Sequence, residues 1–99
     1  MVNVNVGVFN GVSPTQIRVI VDELNTGKSY KFSSPSSFSQ NFDLPSGEYM
    51  MTVTGMNPKN TGSYTEIDVT GNFAEKPIPN PLSSNVSADL YSEIYYFKI

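Results

Sequence analysis

Two carboxylates, Glu66 and Asp68, are the side chains of this 99-residue chain whose spacing could support acid–base chemistry. Residues two apart on a β-strand project from the same face, and inverting glycosidases use two carboxyl groups at about that separation. Thr65, Ile67 and Val69 take the alternate positions, so the two acids fall on the polar face of their strand. No apolar pocket is indicated around them. We therefore interpret the pair as part of a solvated strand face.

The chain contains no histidine and no cysteine, so the commonest bases, nucleophiles and metal ligands are missing. Ser–His and Cys–His catalysis, ordinary zinc sites and disulfides are thereby excluded. Asp22, Glu23 and Asn25 could approach a calcium ion in a bent loop, but their spacing does not match a calcium-binding loop, and a role in the turn is favoured. We expect no enzyme, no catalytic residues, no metal and no cofactor.

The charge balance argues against two classes of partner. The net charge is −3 with six basic residues, of which only Lys28 and Lys31 lie close together. Several clustered cations are needed to hold a phosphate backbone, so nucleic acid is not expected as a partner. No apolar run approaches the roughly 20 residues of a membrane-spanning helix, so membrane insertion is not expected. The opening stretch MVNVNVGVF lacks the basic and apolar segments of a signal peptide.

Hydrophobic alternation runs through most of the chain and predicts β-strands. Val2, Val4, Val6 and Val8 alternate with asparagine or glycine, and turn-forming residues separate the later runs. We predict about seven strands: one at the N-terminus, and others near residues 16–22, 30–32, 38–44, 49–54, 64–70 and 86–99. The predicted fold class is all-β, a single immunoglobulin-like antiparallel β-sandwich that covers residues 1–99.

Two C-terminal segments have weaker patterns. AEKPIPNPLSSN, residues 74–85, holds three prolines and cannot be a central strand, because each proline removes a backbone donor. We expect a long extended connection there. VSADLYSEIYYFKI places Leu90, Tyr91, Ile94 and Tyr95 at helical spacing, but its IYYF run has high β-propensity. We therefore predict a strand.

Two stretches resemble a known group of β-sandwiches. IRVIVDELNTGKSYKF, which begins at Ile17, and FDLPSGEYMMTVTG, which ends at Gly55, are similar to the core of transthyretin-like, carboxypeptidase-regulatory-like and collagen-adhesin B-type domains. A strand, a TG-containing hairpin and an LPxGxY corner recur in those families. The resemblance implies the sandwich fold and implies that Tyr49 packs its ring in the core, with its hydroxyl on a nearby backbone partner. Gly47 is expected to have a positive φ at this corner.

The last strand suggests an interaction surface. Apolar side chains fall on both of its faces, and only one face can point into a small core. We expect Tyr95 and Phe97 on the outer face, and we add Tyr91 and the outward Met50 as interface candidates, because interfaces favour tyrosine, methionine and phenylalanine. The proline-rich segment is the alternative cover for this face.

These observations support two hypotheses about function. The first is a non-enzymatic structural or accessory protein that contacts other protein subunits of an assembly. Decoration proteins on the surface of virus particles are one concrete version, by analogy with their folds. The second is a carbohydrate-binding or cell-surface-binding module of a larger secreted protein. Its sugar contacts would come from tyrosines and asparagines expected to be exposed, namely Tyr64, Tyr91, Asn57 and Asn60.

Overall fold

The protein is described by a computed structural model over residues 1–74 and 82–99. All regular secondary structure within these ranges is β-strand, and no helix there is long and apolar enough to cross a membrane. The eight strands of the described ranges are β1 Val2–Phe9, β2 Ile17–Glu23, β3 Ser29–Ser34, β4 Phe38–Phe42, β5 Glu48–Met56, β6 Tyr64–Gly71, β7 Leu82–Val86 and β8 Leu90–Lys98.

The strands form two four-stranded sheets in which every pairing is antiparallel. One sheet has the order β4-β1-β6-β7 and the other the order β3-β2-β5-β8. Only the β2–β3 hairpin and the β6–β7 pair join strands that are consecutive in sequence, so most connections cross from one sheet to the other. Four strands are therefore edges, and β8 is the edge next to β5.

The core lies between the two sheets and follows the alternation of the sequence. Successive side chains of a strand point to opposite faces, so every second residue of each central strand is buried. Burial of one such aliphatic side chain stabilises the fold by about 1.5–3 kcal/mol relative to its exposure. The buried apolar residues of the four central strands are Val2, Val4 and Val6 of β1, Ile17, Val19 and Val21 of β2, Tyr49, Met51 and Val53 of β5, and Ile67 and Val69 of β6.

The all-β sandwich predicted from sequence is confirmed, but it has eight strands in place of about seven. The additional strand, β7, begins at Leu82 and ends at Val86, at the end of the proline-rich segment. It is an edge strand, the position where a neighbouring proline does least harm to a sheet. The rest of the predicted connection, residues 75–81, lies outside the described residues. The strand predicted at the C-terminus is confirmed as β8.

The corner before β5 confirms that Tyr49 packs in the core. It also corrects the backbone conformation that we expected at Gly47. The Tyr49 side chain is fully buried, and its hydroxyl donates a hydrogen bond of 2.5 Å to the backbone oxygen of Pro45. Gly47 does not have the positive φ that we expected, since the described glycines with positive φ are Gly11, Gly27 and Gly62. A Cβ at residue 47 would instead lie 3.1 Å from Oε1 of Glu23, so a larger residue there would require the Glu23 side chain to shift by a few tenths of an ångström.

Candidate protein interaction surface

The outer faces of the two sheets differ in composition. The outer face of the β4-β1-β6-β7 sheet is almost wholly polar, and its side chains are partly or fully exposed. Asn3 of β1, for example, donates to Ser39 and Asn41 on β4 at 3.0 and 2.9 Å. The cross-strand register places on this face Asn3, Asn5, Ser39, Asn41, Glu66, Asp68, Thr70, Ser83 and Asn85.

The outer face of the β3-β2-β5-β8 sheet carries a continuous row of apolar and β-branched side chains, which we call the apolar stripe. The register brings Ile20, Thr52 and Ile94 into one line across β2, β5 and β8. Met50 and Tyr96 are paired in the adjacent line. The stripe is half-buried at Ile20, Met50 and Thr52, and it is exposed on the edge strand, where Ile94 keeps 49% and Tyr96 54% of its accessible surface.

Charged residues surround the apolar stripe. Lys31 on β3 lies opposite Ile20, and Asp22 lies opposite Met50. Arg18 flanks one end of the stripe, and the cross-strand pair of Glu48 and Lys98 flanks the other. An apolar centre with a charged rim is the arrangement found in protein–protein interfaces. The geometry is therefore suited to contact with another protein surface.

The face assignment that we predicted for the last strand is wrong. Tyr91, Tyr95 and Phe97 are buried in the core, with only 2–7% of their surface exposed. Tyr95 donates a hydrogen bond of 2.6 Å to Ser84 on β7, and burial raises the pKa of its phenol, partly offset by that bond. Of the four interface candidates, Met50 alone has a position on the outer face, within the apolar stripe.

The residues that sequence reasoning missed at this surface are Ile20, Ile94 and Tyr96. The sequence did not distinguish the two faces of the last strand. Ile94 and Tyr96 share one set of alternate positions with Leu90, Ser92 and Lys98, and Tyr95 belongs to the other set. Each set is largely apolar and contains one charged residue. The buried set contains only one charged residue, Glu93, which is half-buried at the sheet edge.

Tyr91 has an unusual environment in the core. Its ring lies across Gly55, its cross-strand partner on β5, where a Cβ would approach the ring carbon Cζ to 2.7 Å. Its hydroxyl is the one buried side-chain polar atom of the described residues without a hydrogen-bond partner. Burial raises the pKa of this phenol, and the Thr65 hydroxyl acts in the opposite direction.

Asn57, which we expected to be exposed as a sugar contact, is 1% exposed, and its side chain connects separate parts of the chain by hydrogen bonds. Its side-chain amide donates to the backbone oxygens of Val86 at 3.0 Å and Ala88 at 2.7 Å. Its side-chain oxygen accepts a hydrogen bond of 2.5 Å from the buried Thr65 hydroxyl. The end of β5, the strand β6 and the β7–β8 turn are thus joined at one amide. The exposure predicted for Tyr91 and Asn57 is therefore corrected.

The two acids that could have formed a catalytic pair lie on the polar face of the other sheet. Glu66 is half-buried and Asp68 exposed, and neither side chain has a hydrogen bond or ion pair to another described residue. They border an open depression of about 400 Å³ together with Ser83 and Asn85. At one end of this face the rings of Phe9 and Tyr64 stack with their centroids 4.8 Å apart.

Glu23, one of the side chains that could approach a calcium ion, closes the β2–β3 hairpin. Its carboxylate accepts hydrogen bonds from the backbone N–H groups of Asn25 at 3.1 Å and Thr26 at 2.6 Å. The carboxylate thus serves the turn, and it also lies against the corner at Gly47. The Thr26 side chain and the Asn25 backbone lower the pKa of Glu23 below its ordinary value of 4.5, against the opposing effect of burial.

We expect the stability of the domain to fall in acid through Glu23. Its folded-state pKa is lowered, so the stabilisation is present above the unfolded value of 4.5 and is lost as pH falls through the folded value. In urea unfolding from about pH 7 to pH 3, the free energy gap between wild type and Glu23→Gln should therefore shrink towards zero. The exposed Glu48, which lies at the same corner, provides the control Glu48→Gln. A gap of constant size across this range would contradict the assignment.

Two facing four-stranded antiparallel sheets with a shared apolar core define the class of this protein as an all-β sandwich. Comparison of the chain with models of known protein families gives no match, and neither do searches of curated proteins and of solved structures.

Proposed function

We propose that this chain is a non-enzymatic protein that binds other protein subunits within a larger assembly. The observation that carries the proposal is the exposure of Ile94 and Tyr96 on β8, at the open end of the apolar stripe. Large apolar side chains that are adjacent on one sheet face and have a charged rim favour a protein contact. Decoration of a virus particle is one concrete version of the proposal. The resemblance to transthyretin-like and related sandwiches is part of the same proposal and adds no function to it.

We propose no catalytic activity because of the side chains that the chain contains and the positions of its acids. The chain has no histidine or cysteine, and the acids Glu66 and Asp68 lie on an open, polar sheet face. A general acid with a raised pKa needs an apolar or charged surrounding that holds its proton, and such a site is usually concave. Protein binding therefore accounts for more of the observed surface than catalysis does.

A second candidate function is carbohydrate binding at the polar face of the β4-β1-β6-β7 sheet. The stacked rings of Phe9 and Tyr64 lie on the same face as Glu66, Asp68 and Asn85. Aromatic rings can pack against the C–H face of a sugar, while carboxylate and amide groups bond its hydroxyls. Tyr64, which the sequence predicts as a sugar contact, remains a candidate, whereas the buried Tyr91 and Asn57 do not.

The assembly proposal is tested by density-gradient fractionation of native source material, followed with an antibody to this chain. We expect the protein to sediment with large particles. Added recombinant Tyr96→Lys should lose this sedimentation while its unfolding free energy stays within about 0.5 kcal/mol of wild type, because the residue is exposed. Thr70→Lys, on the polar outer face of the other sheet, is the matched control and should still sediment with the particles.

Recovery of the wild-type protein only in the light fraction would contradict the assembly proposal and favour the second candidate. Binding of oligosaccharides would then be measured by titration with detection of the Tyr64 signals by NMR. Chemical-shift changes at Tyr64 that disappear in Asp68→Asn would support the sugar site.

A further inference from the structure

Within residues 1–74 and 82–99, no further strand pairs with the outer edge of β8, and this edge differs from the other three. Strand β8 is nine residues long, and it contains neither proline nor glycine. The other edge strands have only five or six residues, so β8 is the longest of the four edges, although it carries Glu93 and Lys98. Natural proteins block long apolar edges, because unpaired N–H and C=O groups bind another strand. The edge of β8 is thus suited to pairing.

The hydrogen-bond pattern identifies which backbone groups of β8 point to the open edge. Gly47 and Ile99 exchange two hydrogen bonds, from Gly47 to Ile99 at 3.1 Å and from Ile99 to Gly47 at 2.9 Å. Bonded and non-bonded pairs alternate along an antiparallel ladder, so the odd-numbered residues of β8 bond to β5. The N–H and C=O groups of the even-numbered residues therefore point away from β5. The bond of 2.8 Å from the Ala74 N–H to the Lys98 oxygen lies on that side.

Leu90, Ser92, Ile94, Tyr96 and Lys98 are thus the residues whose backbone groups are directed away from β5, and Ile94 and Tyr96 also form the exposed end of the apolar stripe. We propose that this edge pairs antiparallel with β8 of a second copy of the chain, about a two-fold axis at Ile94. The inference rests on the proposed function, since it names one partner of the stripe. Two four-stranded sheets would then form one continuous sheet.

The charges and the Ala74 contact select the register. An axis at Glu93 would place two carboxylates opposite each other, which destabilises a strand pair. An axis at Tyr95 would place Ser92 opposite Lys98, whose carbonyl is already bonded to Ala74, so only two complete residue pairs would remain. An axis at Ser92 gives three complete pairs, but it leaves the exposed Tyr96 opposite a residue outside β8. An axis at Ile94 also gives three complete pairs, with Ile94 opposite its own copy and Ser92 opposite Tyr96, so both exposed apolar residues take part in the pairing.

The side chains of this register are compatible with each other. On the outer face Ile94 would meet Ile94 of the second copy, and the apolar stripes of the two copies would become continuous. On the inner face Glu93 would lie opposite Tyr95, so no like charges would be paired. An edge-only contact is small compared with a stable dimer interface, so the expected dissociation constant is on the order of micromolar.

The absence of cysteine makes single-cysteine variants a direct test. Directly opposite residues of a bonded pair have Cα atoms about 5.5 Å apart, within the range that a disulfide spans. Ile94→Cys should therefore form a disulfide-linked dimer on mild oxidation. Ser92→Cys and Tyr96→Cys should each form little dimer alone and should link to each other when mixed. Thr70→Cys, exposed on the other sheet, is the control for random collision.

Sedimentation equilibrium of the cysteine-free protein provides the second measurement. A concentration-dependent dimer that is lost in Ile94→Lys would support the pairing. A monomer at all concentrations, with Ile94→Cys forming no more dimer than Thr70→Cys, would overturn it. If that monomer still sedimented with large particles, the proposed assembly function would stand with a different partner. If the purified protein formed a dimer but the native protein was recovered only in the light fraction of the density gradient, the β8 pairing would be supported and the proposed larger assembly contradicted.

Discussion

Asn57→Ala is expected to lower the free energy of unfolding by about 3 kcal/mol, because it removes three side-chain hydrogen bonds at a buried site. The change leaves the fully buried Thr65 hydroxyl and two backbone oxygens without their protein partner. For a domain of this size each kcal/mol corresponds to roughly 4–8 °C, so the melting temperature should fall by about 12–24 °C. Thermal and urea unfolding measure both quantities.

Asn60→Ala is the matched control for this prediction. Asn60 lies in the same β5–β6 connection and is exposed, and its amide makes one hydrogen bond, of 2.8 Å, to the backbone oxygen of Asn10. Its loss should cost about 1 kcal/mol or less, since water can replace a bond at an exposed site. Equal losses for the two variants would show that Asn57 does not hold the strands together.

Gly55→Ala is expected to lower the free energy of unfolding by about 2–3 kcal/mol, because the added Cβ would overlap the Tyr91 ring and hydroxyl. The size of this loss should depend on whether the Tyr91 ring is present. In a Tyr91→Leu background, whose shorter side chain lacks the ring atoms nearest Gly55, the same change should cost less than about 0.5 kcal/mol. A double-mutant cycle on urea unfolding measures this difference.

Gly7→Ala is the control for the effect of alanine within a strand. A Cβ at residue 7 would approach only the exposed Phe9 ring, at 3.1 Å, and that ring can move. We expect a change within about 0.5–1 kcal/mol in either direction. Additive effects of Gly55→Ala and Tyr91→Leu would contradict the close contact between these two residues.

Much of the architecture could be predicted from local pattern. The alternation of Val2, Val4 and Val6 defines a strand with one buried face, and the prolyl corner predicts the buried ring of Tyr49 with its hydroxyl on a nearby carbonyl. These features depend on residues close in sequence, so propensity and turn chemistry are sufficient. The strand character of β8 follows from the same kind of signal.

The candidate surface could be predicted only in part. The sequence shows that both faces of the last strand are apolar, but it does not show which face meets the core. That choice depends on the pairing of β8 with β5, which turns Tyr95 and Phe97 inwards and leaves Ile94 and Tyr96 outside. A shift of one residue in register would have reversed the two sets.

Contacts between residues far apart in sequence were likewise beyond local pattern. Asn57 looks like a turn asparagine in NPKNTG, and its burial follows from carbonyls about 30 residues away. The neighbour of Gly47 is likewise the side chain of Glu23 from another strand, which local pattern does not reveal. The sequence by itself determined an all-β chain, its central strands and its lack of histidine and cysteine chemistry. The tertiary structure decided which side chains are outside, because burial depends on strand register and on the neighbours that folding brings together.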